Sequence, residues 1–125
     1  MKSLTQIAAE AVRAFALRLP GAVEDYPWGG AVAKVNKKIF VSFGHDERES
    51  DGSFTFSVKL PVSHSQALTL PGIVPTGYGL GKHGWVTVTL APDARPDENL
   101  LLAWVEESYR AIAPKKLVAQ LDASD

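Results

Sequence analysis

The side chains best suited to chemistry in this 125-residue chain are lysines that stand apart from acids. Between Tyr26 and Pro92, outside a polar loop from Gly44 to Gly52, the sequence contains no Asp or Glu. The same stretch carries seven basic or titratable groups: Lys34, Lys37, Lys38, Lys59, Lys82, His64 and His83. Such a distribution indicates a surface for phosphates or for an acidic partner. The alternative is that these lysines only protect exposed sheet edges from aggregation.

Two adjacent lysines follow a proline near the end of the chain. Lys115 and Lys116 come directly after Pro114, in the predicted first turn of a helix, where the helix dipole disfavours cations. A bound anion would reverse that penalty. We expect this pair to lie close to Lys82 and His83 and to form one anion site with them. Alternatively, a lysine stem packs along the preceding helix while its ammonium reaches water.

Patterns for catalysis and for metal binding fail one by one. There is no cysteine, and His45, His64 and His83 are too far apart in sequence for a helical metal pair. The acidic loop Asp46–Asp51 lacks the calcium-loop spacing, and Gly77–Lys82 lacks the spacing and hydroxyl of a P-loop. No G-x-S-x-G elbow presents a nucleophilic serine. The sequence therefore predicts no catalytic residue, no metal and no cofactor.

Four aromatic residues divide by position into stacking candidates and packing residues. Trp28 lies in a Pro-Gly loop and Tyr78 lies between two glycines, so both are candidates for stacking on a base. Covering the end of the core is the alternative role of Trp28. We expect Trp85, at the start of a strand, to be half-buried, and Trp104, on an apolar helical face, to be buried.

The elements that position these residues follow from hydrophobic periodicity. An apolar stripe from Leu4 to Phe15 predicts a helix that is capped by Ser3 with Gln6 and that ends at Leu19-Pro20-Gly21. Alternating residues then predict β-strands, with Asn36-Lys37 as a tight hairpin turn and Ala22–Gly30 as a loop. The predicted strands are Ala31–Val35, Lys38–Phe43, Phe54–Lys59 and Trp85–Leu90.

Further helices are predicted between and after these strands. Pro61–Leu70 fits a short helix, a long helix starts at Pro96 as its first residue, and Pro114–Leu121 fits a final short one. This order predicts an α+β fold of two layers, an antiparallel sheet with helices on one face. The side chains expected to share its core are Val12, Phe15, Phe56, Val88, Leu101, Trp104 and Val105.

Composition places the chain among ordinary globular domains. With 46% apolar and 22% charged residues, we expect residues 1–125 to form a single domain. No apolar run approaches the ~20 residues of a membrane span, and the N-terminus lacks a signal-peptide pattern. We therefore expect no membrane partner and a cytoplasmic location. The formal net charge of −1 argues against a strongly basic nucleic-acid binder, so any such role depends on local charge.

An ordered set of short segments resembles the MmcQ/YjbR family of small bacterial proteins. The resemblance runs roughly from Leu19 to Leu121. Its segments are Leu19-Pro20-Gly21, Tyr26-Pro27-Trp28-Gly29, Lys38-Ile39-Phe40, Ser57-Val58-Lys59-Leu60-Pro61, Leu70-Pro71-Gly72, Gly81-Lys82-His83-Gly84-Trp85-Val86, Glu107-Ser108-Tyr109 and Ala113-Pro114-Lys115-Lys116-Leu117.

This resemblance implies a two-layer α+β fold like that of type III secretion chaperones, no agreed enzymatic activity, and the DNA-binding label that members often carry. The prediction is a non-enzymatic module that binds DNA with little sequence specificity, because no residue set suggests reading of bases. The acidic Asp46–Asp51 loop counts against DNA, because it would repel phosphates. A chaperone-like protein or peptide binder is the first alternative. A binder of a small acidic metabolite beside Tyr26, Trp28 and Lys82 is the second. The predicted phosphate contacts are Lys34, Lys37, Lys38, Lys59, Lys82, His83, Lys115 and Lys116.

Overall fold

The fold is an antiparallel six-stranded sheet with its long helices on one face, as a computed structural model shows for residues 2–27, 30–43 and 52–123. The strands are β1 (Val23–Asp25), β2 (Val32–Val35), β3 (Lys38–Ser42), β4 (Phe54–Lys59), β5 (Ile73–Pro75) and β6 (Trp85–Leu90). The helices are α1 (Leu4–Arg18), α2 (His64–Ala67), α3 (Glu98–Ile112) and α4 (Lys115–Ala123), and Leu80–His83 form a 3-10 helix. The strand order is β1-β2-β3-β4-β6-β5. The predicted α+β class and architecture are confirmed.

Local sequence signals explain where α1 begins and where the β2–β3 hairpin turns. The Ser3 hydroxyl accepts from the backbone N–H of Gln6, and the Gln6 side chain accepts from the N–H of Ser3, as a capping box requires. Asn36 and Lys37 both have positive φ, 51° and 69°, which a two-residue type I′ turn demands. Both features agree with the sequence prediction.

A bulge in β3 directs two consecutive side chains into the core. Ala33 pairs with Val41 and Lys34 pairs with Ile39, so Phe40 is the extra residue on its strand. Phe40 and Val41 are both fully buried, because a bulge places neighbouring side chains on one side of the sheet. The Phe40 ring meets the Tyr109 ring edge-on at 5.4 Å between centroids.

The core lies between the sheet and helices α1 and α3. Val12, Phe56, Val88, Leu101, Trp104 and Val105 are all buried there, and Phe15 packs against them while partly exposed. The predicted core is therefore confirmed. Helix α4 contributes Leu117, Val118 and Leu121 to the same side. The opposite face of the sheet is here called the open face.

Two edge strands and several element bounds differ from the prediction; the largest change of bounds is α2, which covers only His64–Ala67 of the predicted Pro61–Leu70. Val23–Asp25, expected within a loop, is edge strand β1, and Ile73–Pro75 adds a second edge strand, β5. Both strands are three residues long, too short to show an alternating pattern in sequence. Helix α3 begins at Glu98 rather than at Pro96, because the Asp97 side chain accepts from the Leu100 N–H and makes Asp97 the N-cap.

Candidate functional site

One end of the sheet gathers most of the predicted basic residues. The register pairs Val35 with Lys38 and Lys59 with Trp85, so the end of β2, the start of β3, the end of β4 and the start of β6 share this end. Neighbouring strands lie ~4.8 Å apart, which spreads the basic residues over roughly 10 Å from β3 to β6. The residues on these strand ends and adjoining turns, here called the lysine row, are Lys37, Lys38, Lys59 and Lys82, with His83 beside Lys82.

The ammonium groups of the lysine row have no acidic partner among the described residues. Within the part of the chain that the structure describes, none of them forms an ion pair, whereas Lys2 pairs with Glu10. Lys37, Lys38 and Lys82 are exposed, and Lys59 is half-buried. Unpaired cations near the surface attract phosphates at little desolvation cost.

Lys34 differs from the lysine row because it has an acidic partner on the neighbouring strand. Its Nζ lies 2.6 Å from Asp25 Oδ2, and the Tyr26 N–H donates to the other carboxylate oxygen at 2.8 Å. The hydrogen bond from Lys34, followed by that from Tyr26, lowers the pKa of Asp25 below its ordinary value. The pair neutralises both charges, which makes Lys34 a weaker candidate for a phosphate contact than the lysine row.

Lys115 and Lys116 lie on the helix side of the sheet. They form the exposed first turn of α4, as predicted, and the N–H groups of Leu117 and Val118 donate to the Pro114 carbonyl. Leu117 and Val35 both lie beside Gly21: a methyl group added at Gly21 would sit 2.9 Å from Leu117 Cδ1 and 3.7 Å from Val35 Cγ2. This contact anchors the pair near the lysine row but behind the sheet.

The expected convergence of Lys82 with this pair is not what the structure shows. The 3-10 helix that carries Lys82 belongs to the loop Gly77–Gly84, and this loop covers the open face. Helix α4 packs on the helix face. The sheet therefore separates the two groups, because its layer lies between the loop and the helix.

A cavity of about 440 Å³ opens between the loop Gly77–Gly84 and the open face. Sequence reasoning missed it. The sequence signal that could have found it is the alternation in β4 and β6, which places Ser57, Thr87 and Trp85 in phase on the face opposite the core. We call it the open-face cavity; its lining residues are Ile39, Ser42, Ser57, Thr76, Tyr78, Leu80 and Trp85.

The loop is held over this face by backbone contacts. The Gly81 N–H donates to the Thr76 carbonyl at 3.0 Å, and the Leu60 N–H donates to the Gly84 carbonyl at 2.8 Å. A methyl group at Gly81 would lie 2.7 Å from Pro75 Cβ, so only glycine permits this approach. The predicted tight bend into β6 is confirmed, and it forms one wall of the open-face cavity.

Hydroxyl groups line the floor of the open-face cavity. The Ser57 and Thr87 hydroxyls lie 2.8 Å apart, and Thr76 Oγ1 lies 3.0 Å from Thr87 Oγ1. Ile39, Leu80 and the half-buried Trp85 make the rest of the lining mostly apolar. Such a site suits a ligand with an apolar or aromatic body and a few hydrogen-bonding atoms.

Of the two residues predicted to stack on a base, Tyr78 and Trp28, the structure describes only Tyr78. The Tyr78 side chain is fully exposed at the rim of the open-face cavity, with a positive φ of 62°. Trp28 lies outside the described residues, as do His45 and the acidic loop Asp46–Asp51. Trp85 is half-buried and Trp104 is buried, as predicted.

The structure contradicts the prediction that Tyr26 and Lys82 line one metabolite pocket with Trp28. Tyr26 follows β1, whose last residue, Asp25, pairs with Val32 at the start of β2. Lys82 precedes β6 at the opposite end of the sheet, four strands away. Antiparallel pairing therefore keeps Tyr26 and Lys82 too far apart to share a pocket.

Comparisons with known proteins point to one family. The YjbR family model matches residues 17–111. Among solved structures, the Deinococcus radiodurans protein DR2400, described as containing a DUF419 domain, is similar at 24% identity with a TM-score of 0.61, covering 87% of this chain and 77% of that one. A protein from Pseudomonas syringae is similar at 22% identity with a TM-score of 0.60, covering 78% of this chain and 92% of that one. A search of curated proteins found no match. Among the described residues, no helix is long and apolar enough to cross a membrane.

Proposed function

The chain belongs to the YjbR family, and from this membership together with the lysine row we propose that it is a non-enzymatic module that binds nucleic acid. The observation that carries the proposal is the gathering, at one end of the sheet, of lysines that form no ion pair within residues 2–27, 30–43 and 52–123. We further propose that it acts in the cytoplasm without a membrane partner or a cofactor.

The lysine row supports contacts with a phosphate backbone. Lys38, Lys59 and Lys82 lie on or beside three neighbouring strands at one end of the sheet. Lys59 leaves the sheet on the open face, with Trp85, whereas Lys38 is paired with the core residue Val35 and leaves on the helix side. Lys115 and Lys116 add positive charge behind the same end of the sheet. Phosphate contacts hold a protein on nucleic acid without reading sequence, so little sequence specificity is expected.

The experiment is a salt titration of binding to a fluorescein-labelled duplex. We compare the wild type with a Lys59→Ala/Lys82→Ala variant. Each phosphate contact contributes about 0.9 to the slope of log affinity against log salt, so losing two contacts lowers the slope by about 1.8. We expect this change together with weaker binding at low salt.

A matched variant removes the same charge elsewhere. In Lys2→Ala/Arg95→Ala both positions are exposed. They lie away from the lysine row, because the start of α1 contacts Ala91 at the far end of β6 and Arg95 follows that end. Its slope should equal that of the wild type. Equal losses in both variants, or no duplex binding at low salt, would contradict the proposal.

A protein or peptide partner is the second candidate. The observation that favours it is a mostly apolar cleft of about 300 Å³ between α2 and α3, with Leu70 and Leu100 exposed at its rim and Trp104 at its base. Apolar contacts are little affected by salt. A partner held in this cleft would therefore stay bound at salt concentrations that release a duplex, and Leu100→Glu should release it.

A further inference from the structure

We infer that the nucleic acid bound by this protein is single-stranded and that one unpaired base enters the open-face cavity. This inference rests on the proposed function and adds which form of nucleic acid is bound. A base in a duplex is stacked on both faces and paired at its edge, whereas a single strand exposes the ring to aromatic side chains.

The lining of the open-face cavity suits a flat ring. Trp85 and Ile39 rise from the sheet, while Leu80 and Tyr78 come from the loop above it. The volume of about 440 Å³ falls within the range of small-ligand sites. A base therefore finds apolar and aromatic surface on both of its faces.

The floor of the open-face cavity supplies hydrogen bonds without choosing among bases. Each hydroxyl of Ser57, Thr76 and Ser42 can donate or accept. The Ser57–Thr87–Thr76 chain can reverse its direction, because either oxygen of each pair can be the donor. Such a floor accepts the edges of different bases, which agrees with weak sequence specificity.

Two cations of the lysine row lie where the phosphates of that strand would run. Lys59 is the register partner of Trp85, so its side chain leaves the sheet on the open face. Lys82 bends back along the loop, and a methyl group added at Gly79 would lie 3.5 Å from Lys82 Cε. Asp25 is on this face too, but its charge is paired with Lys34. The charge at the rim is therefore complementary to phosphate.

Tyr78 provides an independent indication. Its φ of 62° is rarely adopted by bulky residues, and its side chain is fully exposed. Because the Tyr78 ring is exposed, it adds no buried surface to the fold, and the backbone at Tyr78 is strained. Backbone strain of this kind is concentrated at ligand sites, which supports Tyr78 as a contact for the base.

The test measures binding of three labelled probes at equal length: the oligomers dT12 and rU12 and a 12-base-pair duplex. Because stacking on one aromatic ring is worth ~1–3 kcal/mol, Tyr78→Ala should weaken single-strand binding roughly 5- to 150-fold and leave duplex binding unchanged. The wild type should prefer a single strand to the duplex. A preference for dT12 or rU12 shows whether a DNA or an RNA single strand is favoured, and either supports the inference.

A matched aromatic control is Tyr26→Ala, which removes an exposed ring at the other end of the sheet. It should not change single-strand binding. A second readout is the indole N–H resonance of Trp85, assigned with Trp85→Phe, which should shift when dT12 is added. Because Tyr78 is exposed, its replacement leaves the core intact, and circular dichroism checks this.

The outcomes separate the two proposals. If the duplex binds as tightly as dT12 and Tyr78→Ala changes neither, the single-strand inference is overturned while the proposed function stands. If the Trp85 resonance stays in place when dT12 is bound, a base does not enter the open-face cavity. If no probe binds at low salt, both proposals are overturned.

Discussion

The hydroxyl of Ser108 joins helix α3 to two strands of the sheet, and its loss has a calculable effect. Fully buried Ser108 donates to the Phe40 carbonyl at 2.6 Å and accepts from the Lys59 N–H at 2.9 Å. Ser108→Ala removes the hydroxyl and leaves the Phe40 carbonyl and the Lys59 N–H without their hydrogen-bond partner. An unsatisfied buried polar group costs about 1–3 kcal/mol, and the Lys59 amide is only partly buried. We expect a total loss of about 2–4 kcal/mol in the free energy of unfolding.

Urea unfolding, followed by circular dichroism, measures this loss. The midpoint should fall while the dependence on urea stays the same, because the surface exposed on unfolding does not change. Ser65→Ala is the control, since Ser65 is exposed on α2, and it should change stability by less than ~0.5 kcal/mol. A loss below ~1 kcal/mol for Ser108→Ala would refute the reasoning, because it would mean that both backbone groups find other partners.

Two further predictions concern the hairpin and its neighbouring ion pair. Lys37→Gly should raise the free energy of unfolding by up to ~1 kcal/mol, because Lys37 has φ of 69° and Asn-Gly is the preferred type I′ pair. The variant should also weaken duplex binding. If urea unfolding shows a less stable variant, the turn assignment is contradicted. Asp25→Asn should destabilise the protein near pH 7 but not in strong acid. The folded-state pKa of Asp25 lies below its unfolded value, so the Lys34 pair stabilises above the unfolded pKa of about 4 and is lost as pH falls through the folded one. A stability gap between wild type and variant that stays constant from pH 7 to pH 2 would contradict this.

Features that depend on neighbours in the chain could be predicted from the sequence alone. The Ser3–Gln6 cap, the turn at Asn36-Lys37 and the periodic faces of α1, α3, β4 and β6 are all local. Periods of 3.6 and 2 assign each side chain to a face before any packing is known. For that reason the core around Trp104 and the α+β class were predicted correctly. The position of Lys115 and Lys116 in the first turn of α4 is also local, because Pro114 begins that turn.

Only the tertiary structure decided how separate segments meet. Strands β1 and β5 exist because longer neighbours give them hydrogen-bond partners, and Phe40 turns inward because β2 pairs around it. The Lys34–Asp25 pair joins two strands through their register, which no local pattern specifies. The lysine row arises because antiparallel pairing brings strand ends together, while the sheet layer keeps Lys115 and Lys116 behind it. The open-face cavity likewise depends on a loop that hydrogen-bonds back to Thr76 and Leu60. Such long-range pairings depend on the whole chain, so short windows of sequence cannot show them.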